Sequence, residues 1–127
     1  MAEKKRLVGD ANSIRDARAM VRTIMSDQAT EVRDIAVLLT DELVTNAVVH
    51  GGGRFELNAE LGPRALRVVV SDLSPAAPRV LTPSADQEHG RGMAIVASLA
   101  SAWGSDVGES GKGVWFSLDL TPPRSSE

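Results

Sequence analysis

Asp41-Glu42-Leu43-Val44-Thr45-Asn46-Ala47-Val48-Val49-His50, running into Gly51-Gly52-Gly53, is the stretch whose reading decides the fold. Glu42, Asn46 and His50 recur every four positions. On a helix that spacing stacks them on one stripe, because side chains four apart are surface neighbours. Leu39, Leu43 and Ala47 form a second stripe beside it, suited to a core. A carboxylate, a carboxamide and an imidazole aligned beside an apolar face read as the wall of a site.

Outward from that helix, Arg6 to Gly9 is suited to a short first strand. Asn12 or Ser13 can cap a helix in which Ala17, Met20, Val21, Ile24 and Met25 keep helical spacing. The polar face of that helix, about Asn12 to Met25, carries Arg15, Asp16, Arg18 and Arg22. The central helix is predicted from about Glu31 to Val49, ended by the glycines. Residues 54–61 alternate and 65–71 are rich in valine, with Gly62-Pro63-Arg64 as a hairpin turn between them. Leu73 to His89 carries Pro75, Pro78 and Pro83 and no periodicity, so it is predicted to be a long loop of the functional kind. An apolar helix over Met93–Ala102 opens at Gly90-Arg91-Gly92, and 102–107 and 113–120 read as closing strands. Clustered strands and short hairpins predict an α/β fold: a two-layer sandwich whose mixed, mainly antiparallel sheet is covered by helices on one face. Residues 1–127 are expected to form one domain with a loose tail from about residue 121.

Composition narrows the function. With no cysteine, disulfides, thiolate zinc sites and cysteine nucleophiles are excluded. Lys and Arg number 14 against 17 Asp and Glu, a net charge of -3 without the basic footprint of a nucleic-acid surface. Two Trp, two Phe and no Tyr leave little for base stacking. Neither a signal peptide nor an apolar run long enough for a transmembrane helix stands out, so a soluble cytoplasmic protein is expected. Small-molecule and protein partners remain.

The chemistry rests on few residues. Glycines at Gly90 and Gly92 let backbone approach a ligand where a helix start favours phosphate, although a plain loop-to-helix junction has the same pattern. Asp72 ends the valine strand, where it can accept from a ligand amine or start an Asx-turn. Asn46 offers magnesium a hard oxygen, and Glu42 one turn earlier can take a proton; an exposed polar helix face is the alternative. His50 suits a helix C-terminus better than a ligand role. Gly108 to Gly113 lacks the spacing of a phosphate-binding loop. Zinc-protease and serine-elbow patterns are missing too.

In this order, Glu42-x-x-x-Asn46-x-x-x-His50-Gly51, then Asp72, then Gly90-x-Gly92-x-x-Ile95, the motifs resemble the Bergerat ATP-binding fold of the GHKL superfamily. More narrowly, Asp41–Val48, Gly90–Val96 and Val114–Leu118 look like the small stand-alone anti-sigma-factor serine/threonine kinases, over about Leu7 to Leu120. The resemblance implies ATP and Mg²⁺ as cofactors. It implies that Glu42 is the general base, that Asn46 binds the metal, and that Asp72 binds the adenine amino group. Gly90, Arg91 and Gly92 would lie near the phosphates, with Leu73 to His89 as the ATP lid. The implied partners are a sigma factor and an anti-sigma-factor antagonist, without direct contact to nucleic acid or membrane, and a homodimer stays open.

Two departures qualify the expectation. The family's adenine motif continues Asp-x-Gly-x-Gly, whereas this chain reads Asp72-Leu73-Ser74-Pro75, which stiffens the lid entrance. The late Gly-Thr appears as Gly113-Val114. The alternatives are a binding module of the same fold without phosphotransfer and, ranked last, an ATP-hydrolysing fragment of a sensor kinase.

Overall fold

The computed structural model describes residues 1–51, 54–72, 90–108 and 111–120. In chain order these form β1 (Ala2–Val8), α1 (Ala11–Ile24), α2 (Thr30–Gly51), β2 (Arg54–Leu61), β3 (Ala65–Asp72), α3 (Gly90–Leu99), β4 (Ala102–Gly108) and β5 (Gly111–Asp119). The predicted lid, residues 73–89, and the predicted tail from 121 lie outside the described residues.

The five strands make one sheet in the order β1-β2-β3-β5-β4. Every pairing among them is antiparallel, so the mixed component expected of the sheet is not found among the described strands. Alternation sets the two faces. Phe55, Leu57 and Ala59 of β2 are buried with Leu66, Val68 and Val70 of β3 and Val114, Phe116 and Leu118 of β5. Opposite them α1 contributes Ala17, Val21 and Ile24, and α2 contributes Ala36, Leu39, Leu43 and Val44. The product is the expected two-layer sandwich. Burying each large side chain contributes about 1.5–3 kcal/mol.

On the uncovered face Trp115 lies across Gly104, where a Cβ would come 3.0 Å from the indole Nε1. The Arg67 guanidinium sits 4.7 Å from the indole ring centroid. A side chain at 104 would therefore press on the indole, which would have to give by a few tenths of an ångström.

Several predicted boundaries need correction. The cap of α1 is Asp10, not Asn12 or Ser13: extended Asp10 accepts from the Ser13 N–H at 2.9 Å. Ser13 occupies the third helical position, where its Oγ accepts from the Asp10 N–H at 3.2 Å. This reciprocal arrangement satisfies two helix-end donors at once. Strand β1 starts at Ala2 rather than Arg6 because Ala2 to Arg6 pair with Glu60 to Glu56. Helix α3 starts at Gly90 rather than Met93 and stops at Leu99, since Ala102 pairs with Ser117. The predicted β2–β3 turn is found, with the Gly62 N–H donating to the Ala65 carbonyl at 2.9 Å.

Connectivity carries the motif-bearing elements to one end of the sheet. Helix α2 ends at Gly51, just before β2 begins at Arg54, and Asp72 pairs with Phe55 at that same end. Helix α3 leads through Ala100 and Ser101 into β4 at the far end, so it runs back antiparallel to β4. Its first residues, Gly90 to Gly92, therefore point toward the end that holds Asp72. Helix α2 packs between α1 and α3. Among the described residues no helix is long and apolar enough to cross a membrane.

Candidate functional site

The 22-residue α2 has the length to meet three environments at once. Leu39 and Leu43 face the core, fully buried, and Ala47 packs against it. Glu42 and Asn46 are about 6 Å apart along the axis, at a rise of ~1.5 Å per residue. Asn46 is 6% exposed, which rules out the reading as a solvated polar face at that position. Its Nδ2 is buried and has no hydrogen-bond partner among the described residues. An orphaned donor costs about 1–3 kcal/mol, a cost that an acceptor on a bound ligand would offset. The buried carboxamide fits a phosphate oxygen at its N–H end and a hard cation at its oxygen end.

Glu42 is half-buried. Burial first, and the negative charge of the adjacent Asp41 second, raise its pKa above the ordinary carboxylate value. Both causes disfavour the ionised form, and together they make Glu42 a readier proton acceptor when it is ionised. Thr45, half-buried, lies on the same side of the helix.

Asp72 is the last residue of β3, as predicted, and Gly90, Arg91 and Gly92 form the first turn of α3. The side chains of Asp72, Arg91 and His50 lie outside the described residues. At the level of the backbone, the C-terminal half of α2, the end of β3 and the start of α3 are thus brought to one end of the sheet. Asp41 was not singled out by spacing, because its effect on Glu42 comes from sequence adjacency rather than from a shared stripe. Spacing also offers a signal for the exposed Leu38 and Val49 on α2, whose eleven-residue separation is about three helical turns.

A model of the histidine kinase-like ATPase domain matches residues 7–118. Among solved structures, the RsbU and RsbW domains of Rv1364c from Mycobacterium tuberculosis align with a TM-score of 0.71 at 22% identity. That alignment covers 97% of this chain and 33% of the other, so this chain spans about a third of the length of that protein. At this identity the likeness speaks for the fold. A comparison with curated proteins gave no match. The family match runs from the end of β1 to the end of β5 and takes in the Glu42–Asn46 wall, Asp72 and the Gly90–Gly92 turn; the chain belongs to the histidine kinase-like ATPase family, the GHKL group, whose description implies ATP binding.

Proposed function

We propose that this protein is an ATP-dependent serine/threonine protein kinase that acts as an anti-sigma factor, with residues 1–127 working as one cytoplasmic nucleotide-binding unit. The observation that carries the reading is the Asn46 carboxamide, buried with an unpartnered Nδ2, one turn from a Glu42 held above its ordinary pKa. In this reading ATP is the phosphoryl donor. A partner serine hydroxyl attacks the γ-phosphorus, the bond from that phosphorus to the bridging oxygen of ADP breaks, and Glu42 takes the hydroxyl proton. Asp72 accepts from the adenine amino group, and the Gly90–Gly92 turn presents backbone N–H groups to the phosphates, with Arg91 beside them. Asn46 would hold Mg²⁺, which supplies neutralisation of phosphate charge.

The proposed partners are a sigma factor, sequestered by the unmodified complex, and an antagonist protein that receives the phosphoryl group. A phosphoserine adds about −1.5 to −2 charge, enough to break a packed contact and reset the competition between the two. The same fold without phosphotransfer is the second reading. Asp72-Leu73-Ser74-Pro75 favours it, because the family's glycines at this point are replaced.

Titration with ATP and Mg²⁺, read by thermal shift, tests the first step. Selective stabilisation by ATP over GTP, reduced by chelator, is expected. No stabilisation by ATP at millimolar concentration would remove the reading. Stabilisation without transfer of labelled γ-phosphate to any candidate antagonist would select the second.

A further inference from the structure

The helices α1 and α2 are joined by the short segment 25–29 and pack side by side, the arrangement of an antiparallel helical hairpin. On α1, Arg15, Arg18 and Arg22 are exposed at spacings of three and four, on a different side of the helix from the buried Ala17, Val21 and Ile24. They form one basic row pointing away from the core. On α2 the outward positions read Glu31, Asp34, Leu38, Asp41, Thr45 and Val49, with Glu42 at the margin. That row is acidic and holds no basic residue.

The two helices pack side by side, yet among the described residues no ion pair joins the two rows. Among the described residues the single ion pair is Arg6–Glu56, at 3.5 Å on the far strand edge. Leu38, between Asp34 and Asp41, and Val49, beyond the last acid, remain 37% and 46% exposed. Eleven residues apart, they lie about 16 Å from one another on almost the same azimuth. Isolated exposed apolar side chains are ordinary. Two on one line, Leu38 among acids and Val49 beyond them, on a helix packed beside one that exposes three arginines, make a patterned face.

We propose that this outer face docks a helical segment of a protein partner that carries an acidic row and a basic row on either side of an apolar strip. The pattern decides between classes of partner. A nucleic acid or an anionic membrane would gain from the arginines and be repelled by the acids of α2, whereas a two-signed helix satisfies both. Charge of both signs also fixes direction, since the reversed orientation sets like charges against each other. Docked in that register, the partner lies along the rim that holds Glu42, so a hydroxyl on it reaches the proton acceptor. That last clause rests on the proposed kinase reading; the docking does not.

The test uses the full chain and three synthetic helical peptides with an identical leucine strip. One has a glutamate row and a lysine row on opposite flanks, one only glutamate, and one only lysine. A DNA duplex and phosphatidylserine vesicles complete the set. Amide shifts should move at Arg15–Arg22 and Leu38–Val49, with the two-signed peptide binding about tenfold tighter than either single-signed one, as a few exposed ion pairs would give. The preference should fade with salt, and Arg18→Glu with Arg22→Glu should abolish it. Equal binding of the three peptides, tighter binding of DNA or vesicles, or shifts confined to the sheet face would overturn the proposal. Should the double variant fold poorly, Arg18→Ser and the three-peptide comparison on the parent still decide. ATP titration of the same samples separates the two readings: peptide preference without ATP binding removes the kinase reading alone, and ATP binding without peptide preference removes the docking face alone.

Discussion

Replacing Asn46 by leucine should make the protein more stable and less able to use nucleotide. Asn46 sits on α2 next to fully buried Leu43 and Val44, with its own surface almost wholly covered and Nδ2 unpartnered. An unsatisfied buried donor costs about 1–3 kcal/mol. Leucine has the same branched skeleton of four side-chain heavy atoms, removes that cost and adds apolar burial, so where the flank admits its bulkier methyl groups Asn46→Leu is expected to gain about 1–3 kcal/mol without ligand. For a domain of this length each kcal/mol shifts Tm by roughly 3–5 °C. Differential scanning calorimetry without nucleotide should therefore place the variant several degrees above the parent. With ATP and Mg²⁺ at about a hundredfold over Kd, the parent gains about 2.7 kcal/mol by linkage. The variant, lacking the amide, gains little, and the order of the two melting temperatures narrows or inverts. A variant less stable than the parent without ligand would mean that the amide is bonded after all. Equal stabilisation of both by ATP would mean that it does not face the nucleotide.

Glu42→Gln should abolish phosphotransfer while leaving ATP binding largely intact, as measured by single-turnover assay and calorimetry. Because the folded pKa of Glu42 is raised, its charge is a penalty above that pKa, one that disappears as pH falls below the ordinary carboxylate value; the Gln variant should therefore be the more stable at neutral pH, with the gap closing in melts at lower pH. A gap that widens on acidification would contradict the assigned cause. Asp72→Asn should weaken ATP binding by about 1.5–3 kcal/mol, the size of a hydrogen bond to a charged group, and reduce the preference over GTP; equal affinity of the parent for both nucleotides would sink it. Asp10→Ala removes the capping box and should cost about 1 kcal/mol in urea unfolding, whereas an unmoved midpoint would show that the cap contributes nothing.

What could be read in advance follows the physics of each element. Strands β2 and β3 were legible because one face of each is buried, which forces alternation in Phe55-Glu56-Leu57-Asn58-Ala59. Strand β1 was half legible. Glu3-Lys4-Lys5-Arg6 has no apolar alternation, and its extension to Ala2 comes from pairing with β2 at the sheet edge, where charged residues are tolerated on both faces. Helix α3 begins on glycines that propensity assigns to a loop, and its packing against α2 overrides that preference. The cap of α1 was missed because Asp10, Asn12 and Ser13 are all competent residues, and only the extended backbone of Asp10 singles one out. In the site, spacing identified Glu42 and Asn46 correctly as neighbours. The burial of Asn46 and the rise in the Glu42 pKa depend on what α2 packs against, which no local pattern encodes.

Helix α2 explains why the polar spacing was more telling than overall amphipathicity. A helix with two environments sorts cleanly into an apolar and a polar half. This one has three: Ala36, Leu39 and Leu43 toward the sheet, Glu42 and Asn46 along a flank, and Asp34, Leu38, Asp41 and Val49 outward. Apolar residues on the outward row and a buried amide on the flank both blur the periodicity. Each departs from the arrangement that stability alone would choose, since Leu38 and Val49 lose burial and Asn46 leaves a donor unmet. Such departures persist in natural proteins mainly where something binds. The flank departure lies in the C-terminal half of α2, at the sheet end that also holds the end of β3 and the start of α3, where the proposed phosphate ligand would sit. The outward departure points to solvent beside an unpaired row of arginines, and fits a protein. On the two proposals above, one helix would carry a nucleotide wall and a docking row about 20–80° apart, less than a quarter of a turn at ~100° per residue, so that a partner held by the second would lie beside a phosphoryl group held by the first.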